Sequence, residues 1–230
     1  MAVNFIVNGN LPKEAIDKLS DFGNVVLFST SGITYPQVSN HPDLFFCAGT
    51  RKWVVARNTP AEYIQKLKSL EVEYVLGSTP VGSVYPKSAR YNAVVTDKYF
   101  IHKFSVSDAV LKKTYGHLNP VSIPQGYARC NLLPLKNNGF ITSDKGIQKV
   151  LIEQNMDVLY VDSSQVLLPG FEHGFFGGCA GVYRDMVFLS GSLKYLNDGE
   201  RVKNYLRKLN YQVIELYDGP LFDGGSILIC

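Results

Sequence analysis

Apolar residues along the chain fall into short runs separated by amphipathic stretches, and the same order of segments returns several times. In KWVVARNTPAEYIQKLKSLEVEYVLGS (52–78) an apolar run leads into a stripe at Tyr63, Ile64, Leu67 and Leu70, and a second apolar run follows. The runs predict strands, and the three-and-four spacing of the stripe predicts a helix. Thr59 is the expected N-cap, Pro60 the expected first helical residue, and Glu62 the partner that completes a capping box. The same strand-helix-strand grammar occurs in segments 4–30, 99–123, 139–163 and 186–219. Gly23, Gly116, Asn155 and Asn210 stand where a left-handed helix terminus is wanted.

Four of these five segments are preceded by one more short apolar run, joined through turn residues such as Asp97-Lys98, Asn137-Asn138-Gly139 and Arg184-Asp185. The opening segment lacks that run, and the chain ends on a surplus one, SILIC (226–230). The two are complementary, so the last strand is expected to pair with NFIV (4–7) and complete a fifth unit. Steps from Asp43 to Asn92, Asn131, Gly178, Ser226 and round to Asp43 measure 49, 39, 47, 48 and 47 residues, which returns to the start after 230. The predicted architecture is α+β: a five-fold pseudosymmetric β/α-propeller of ββαβ repeats, closed by the N- and C-terminal strands so that no hydrophobic edge is left unpaired. An irregular α+β sandwich is the competing arrangement.

Composition adds bounds. With 230 residues, 46% hydrophobic and 19% charged, the chain is expected to form one globular domain spanning 1–230. A formal charge of +3, spread without blocks of one sign, gives no footprint for nucleic acid or anionic lipid. The opening MAVNFIVNGNLPKE carries neither a basic leader nor an apolar stretch of signal length, and no later run reaches the length of a membrane span, so a cytoplasmic protein is expected. The four cysteines are far apart, with no C-x-x-C pair and no His at ligand spacing, which predicts buried thiols rather than a zinc site or a disulfide framework.

In such a ring the positions leading each hairpin approach the axis. They are Asp43, Asn92, Asn131, Gly178 and Ser226, flanked by His41, Arg90, Arg129, Cys130, Cys179 and Asp223. A polar pocket at one mouth is one reading; hydrogen bonds that merely satisfy converging strand ends are the other. Arg90 and Arg129 share a repeat position and suit an anionic ligand group, whereas Asp43 and Asp223 suit a cationic one; an amino acid carries both. The loop PGFEHGFFGGC (169–179) sets Glu172 and His173 among Phe171, Phe175 and Phe176, which fits a substrate-contacting lid or a hydrophobic plug. Cys179, after Gly177-Gly178 and near His173 in sequence, is a candidate nucleophile.

The repeat pattern over the whole chain resembles the penteins, the guanidino-group-modifying enzymes. FDGGSILIC (222–230) is similar to that superfamily's closing Gly-Gly stretch, which carries the nucleophilic cysteine and would make Cys230 the nucleophile. YPKSARYNAVV, QGYARCNLLPL, ITSDKGI, GFFGGCAGVYRD and PLFDGGSI resemble more narrowly an uncharacterised bacterial family of the same fold, which implies a fold and no particular reaction. The wider resemblance implies a cofactor-independent hydrolase or amidinotransferase acting on a guanidino or amidine compound. A Cys thiolate would add to the guanidinium carbon, a His would move protons, and carboxylates would grip the nitrogens. Two departures stand out. Cys230 lies five residues after Gly225 instead of three or four, and YARCNLL offers no His where the superfamily places one. A non-catalytic pentein serving as a binding or scaffold protein is therefore the alternative, its partner a small guanidino or amino-acid-like ligand or another protein. Oligomeric state is not legible in the sequence.

Overall fold

The computed structural model describes residues 3–230; Met1 and Ala2 of the expected domain lie outside the described residues. β1 (Asn4–Asn8) runs through α1 (Lys13–Ser20) to β2 (Asn24–Phe28). β3 (Phe46–Cys47) turns back into β4 (Trp53–Val55), then α2 (Ala61–Ser69) and β5 (Tyr74–Leu76). β6 (Val94–Val95), β7 (Tyr99–His102), α3 (Ala109–Tyr115) and β8 (Asn119–Ser122) repeat the order. A one-turn helix α4 (Ala128–Asn131) opens the next unit, with β9 (Leu132–Pro134), β10 (Gly139–Thr142), α5 (Lys145–Glu153) and β11 (Asp157–Tyr160). β12 (Ala180–Tyr183), β13 (Met186–Leu189), α6 (Gly199–Lys208) and β14 (Gln212–Glu215) follow, and β15 (Leu228–Ile229) comes last.

The described strands form five three-stranded sheets, each with its middle strand antiparallel to the first and parallel to the third. The fifth sheet is the predicted composite one. β15 pairs antiparallel with β1 through Phe5 with Ile229 and Ile6 with Leu228, and Asn4 and Cys230 exchange backbone hydrogen bonds of 2.7 and 3.0 Å. Leu228 packs into the core that contains Phe28, Phe45, Phe46 and Trp53, so the seam is sealed by apolar burial as well as by its ladder.

Local details depart from expectation in two places. α2 begins at Ala61, Pro60 occupies the N-cap position, and the buried Thr59 hydroxyl has no hydrogen-bond partner. The hydroxyl therefore does not cap the helix. Asn155 and Asn210 adopt the left-handed conformation after their helices (φ 56° and 54°), as does Glu71 after α2, whereas Gly23 and Gly116 do not, Gly116 keeping a right-handed φ of −65°. Tyr115, which precedes that glycine, instead anchors α3 through hydroxyl bonds to the Cys47 and Lys52 carbonyls.

Candidate active site

The segments that lead the inner strands are tight turns. Pro42–Leu44 precedes β3, α4 precedes β9, and Gly177–Cys179 precedes β12. Turns of this kind expose backbone amides and carbonyls toward the axis, and the five units satisfy one another in a ring. Asn92 donates its amide to the Asp43 carbonyl at 3.2 Å and accepts the Cys130 N–H at 3.1 Å. The Arg129 guanidinium donates to the Gly177 and Ala180 carbonyls, both at 2.8 Å. Ser226 N–H donates to Gly178, and Ser226 Oγ–H donates to Asp43 at 2.6 Å. The strand ends are thereby satisfied, and the axis also gathers a cluster of titratable groups.

Those groups are Cys130, His41 and Asp223. The Cys130 sulfur, a His41 ring nitrogen and an Asp223 carboxylate oxygen lie within 4.8 Å of one another, and all three residues are buried. Asp223 is fixed by the amides of Phe175 (2.9 Å) and Gly225 (3.1 Å), and His41 Nδ1 stands 3.9 Å from its carboxylate. Neither His41 ring nitrogen has a hydrogen-bond partner, although the residue is only 2% exposed. The Cys130 thiol donates to Asp43 at 3.2 Å and accepts from Asn92 at 3.2 Å. Two glycines make this packing possible. A Cβ on Gly178 would collide with the Asp223 carboxylate, and Gly225, at φ +76°, has His41 against its α-carbon.

Charge is poised against the thiolate. Burial first, then the carboxylates of Asp43 and Asp223, hold the Cys130 thiol well above the ordinary thiol range. Burial also raises the Asp223 carboxyl, with His41 and the Phe175 amide pulling the other way. Burial lowers the Arg129 guanidinium, and Asp43 opposes that effect.

The cluster opens into a pocket of about 120 Å³ whose walls include Tyr35, Tyr127, Phe171, His173 and Phe175. Tyr35 and Tyr127 are joined hydroxyl to hydroxyl at 2.8 Å, and Tyr127 reaches Ser88 at 2.6 Å, giving one wall a polar seam. The aromatic loop divides its residues: Phe176 is fully buried in a core cluster, while Phe171, His173 and Phe175 line the pocket.

The remaining sequence candidates sit elsewhere. Cys179 is buried, donates to the Phe175 carbonyl at 3.3 Å and does not line the pocket that His173 lines; His173 Nδ1 bonds the Gly174 carbonyl instead. Cys230 lies at the far end of the inner strands, in a separate cleft of about 580 Å³ with Arg129. It follows Ser226 by four residues, and β15 leads away from the cluster, so Cys230 and the cluster line different cavities. Arg90 holds the Pro80 carbonyl at 2.7 Å, Glu172 is exposed, and Asn131 bonds Tyr127 and Ser143. Cys130 takes the axial place foreseen for Asn131 because α4 turns each successive side chain by roughly 100° where a strand would alternate them. Spacing along the sequence indicated no metal-ligand cluster, yet His41, Cys130 and Asp223, from three different units, come near enough to one another that they could hold an ion.

A family of unknown function, DUF6873, matches residues 6–228. No curated protein matches the chain by sequence. Among solved structures, dimethylarginine dimethylaminohydrolase from Pseudomonas aeruginosa, in complex with citrulline, superposes with a TM-score of 0.54 at 10% identity, covering 92% of this chain and 91% of that one. ArgZ, an arginine dihydrolase of the cyanobacterial ornithine-ammonia cycle, gives 0.58 at 11% identity over 94% of this chain and 36% of that one. SxtG, an amidinotransferase of saxitoxin biosynthesis from Microseira wollei, gives 0.54 at 12% identity over 92% and 87%. The fold is the pentein fold of these guanidino-group hydrolases and amidinotransferases.

Proposed function

This chain belongs to the DUF6873 family, and on that premise we propose that it is a cofactor-independent hydrolase or amidinotransferase acting on a small guanidino or amidine compound, with Cys130 as nucleophile. The observation that carries the reading is the convergence of Cys130, His41 and Asp223 at the floor of an apolar-walled pocket. A guanidinium entering there meets Asp223 and Asp43 as countercharges. Its own positive charge offsets the two carboxylates that hold the thiol protonated, so binding lowers the cost of forming the thiolate. The Cys130 sulfur then adds to the guanidinium carbon. His41, with both nitrogens free, takes the thiol proton and returns it to the departing amine. Water, or an acceptor amine in the transferase case, completes the turnover by displacing the sulfur. His173 at the rim is the second histidine able to move protons in the pocket.

The test is labelling by chloroacetamidine followed by peptide mapping, with ammonia release measured on a panel of guanidino compounds. The expected result is a single adduct on Cys130. An adduct confined to Cys230 or Cys179 overturns the assignment. A second reading, a binding protein, is favoured by one observation: the resting thiol is buried and held well above the ordinary range. It predicts amidine binding by calorimetry with neither adduct nor ammonia.

A further inference from the structure

His41 is the least satisfied polar side chain at the axis, with two ring nitrogens sealed from solvent and unpaired. A buried imidazole in that condition is unfavourable unless something occupies the space it faces. What it faces is a thiol and a carboxylate. Sulfur, imidazole nitrogen and one carboxylate oxygen form the mixed donor set that suits Zn²⁺, Co²⁺ or Ni²⁺, whereas Mg²⁺ and Ca²⁺ call for oxygen alone. Bond lengths of about 2.0 to 2.3 Å at a tetrahedral Zn²⁺ place ligand atoms roughly 3.5 Å apart. His41 Nδ1 and Asp223 Oδ1 already stand at 3.9 Å, and no ligand atom of the three is farther than 4.8 Å from another. Binding would require the ligand atoms to draw together by up to roughly 1.3 Å.

The surroundings are those of a built site. Asp223 is oriented by two backbone amides, Asn92 donates to the sulfur, and Ser226 holds Asp43 beside it. Such outer partners fix ligand orientation and tune affinity. We propose that His41, Cys130 and Asp223 form a buried three-ligand site for a borderline divalent transition metal of the Zn²⁺ class, with the fourth position open to the pocket. On binding, the Cys130 S–H bond breaks, its proton leaves to solvent and the metal–sulfur bond forms, with no change of oxidation state. The cation also meets two carboxylates, Asp43 and Asp223, against the single guanidinium of Arg129. A sulfur bound in this way is a weaker nucleophile and the cation fills the space beside it that a guanidinium would take, so metal and amidine compete. Only that inhibitory consequence rests on the enzymatic reading; the site itself does not.

The experiment is titration of chelator-treated protein with Co²⁺, read as thiolate-to-cobalt charge-transfer absorption in the near ultraviolet, with Zn²⁺ as competitor. One equivalent of Co²⁺ is expected to develop the band and Zn²⁺ to abolish it. Cys130→Ser, nearly isosteric, is expected to lack the band, and Asp223→Asn to weaken affinity by at least ~100-fold. Cys179→Ser and Cys230→Ser are expected to retain it. No band in the wild type, or a band that survives in Cys130→Ser, overturns the site. Because the readout needs no turnover, the two readings separate. A cobalt band without amidine labelling keeps the metal site and removes the enzyme, and labelling of Cys130 without a band does the reverse.

Discussion

Ser226 gives its hydroxyl hydrogen to the Asp43 carboxylate across 2.6 Å, joining residues 183 positions apart. The same carboxylate accepts the Cys130 thiol, so one acid ties the seam of the ring to the proposed nucleophile. Structure and chemistry at the axis are therefore coupled through Asp43.

Ser226→Ala is expected to lower stability by about 1 to 2 kcal/mol, because a buried hydrogen bond to a charged group is lost and its acceptor is left short of a donor. Urea denaturation checks this, and an unchanged midpoint would show that the bond contributes nothing net.

Asp43→Asn removes a negative charge that pushes the thiol upward. The Cys130 thiol is then expected to ionise at lower pH and to alkylate faster near pH 8. The measurement is the pH dependence of iodoacetamide labelling at Cys130; a profile displaced to higher pH would contradict the role given to Asp43.

His102 supplies a pH-dependent contribution to stability. Burial lowers its imidazole from 6.5 to about 4, with the Gly126 and Ala89 carbonyls opposing the shift. The folded value lies below the unfolded one, so the unfolded chain takes up a proton first as pH falls. The contribution is intact above pH 6.5 and is lost progressively from there to about pH 4, roughly 3 kcal/mol in all. In His102→Gln the loss of stability between pH 7 and pH 4.5 should be visibly shallower than in the wild type; parallel curves would rule this out.

Asp108 caps α3 through Val110 N–H and gathers Ser78, Thr79 and Tyr91. Burial works to raise its carboxyl, but the bonds from Thr79, Val110 and Ser78 win and hold it near 2. Asp108→Ala is expected to cost about 3 kcal/mol, since several buried donors lose one acceptor at once. Thermal unfolding at neutral pH reads it directly.

Leu228→Asp places a carboxylate in the hydrophobic seam opposite Ile6 and is expected to destabilise by about 3 to 5 kcal/mol. Faster exchange of the Asn4 and Ile6 amides than of those in β13 would locate the damage at the seam.

The ring was legible because its signals are local and recur: strand runs, helical stripes and turn residues at a near-constant period, with a deficit at one end matching a surplus at the other. The same period placed Asp43, Asn92 and Ser226 at the axis. His41, Asp223 and Cys130 were visible only as flanking residues. A four-residue helix leaves no periodic trace, and without it the strand alternation points to Asn131. Arg90 and Arg129 share a repeat position in sequence, but their guanidinium groups are occupied by the carbonyls of Pro80 and of Gly177 and Ala180. Nothing in one sequence distinguishes an arginine that awaits a ligand from one that satisfies backbone. The tyrosine pair Tyr35 and Tyr127 was missed for a related reason, because its partners meet only in three dimensions.

The composite sheet has a further consequence for the order in which the molecule can be made. β1 precedes the other four sheets along the chain, yet its antiparallel neighbour β15 follows them all. Until that neighbour arrives, Ser226 and Asp223 cannot take their places beside Asp43 and His41. The other four sheets can form before β15 is made, so the cluster of His41, Asp43, Asp223 and Ser226 comes together only once the last of them is in place.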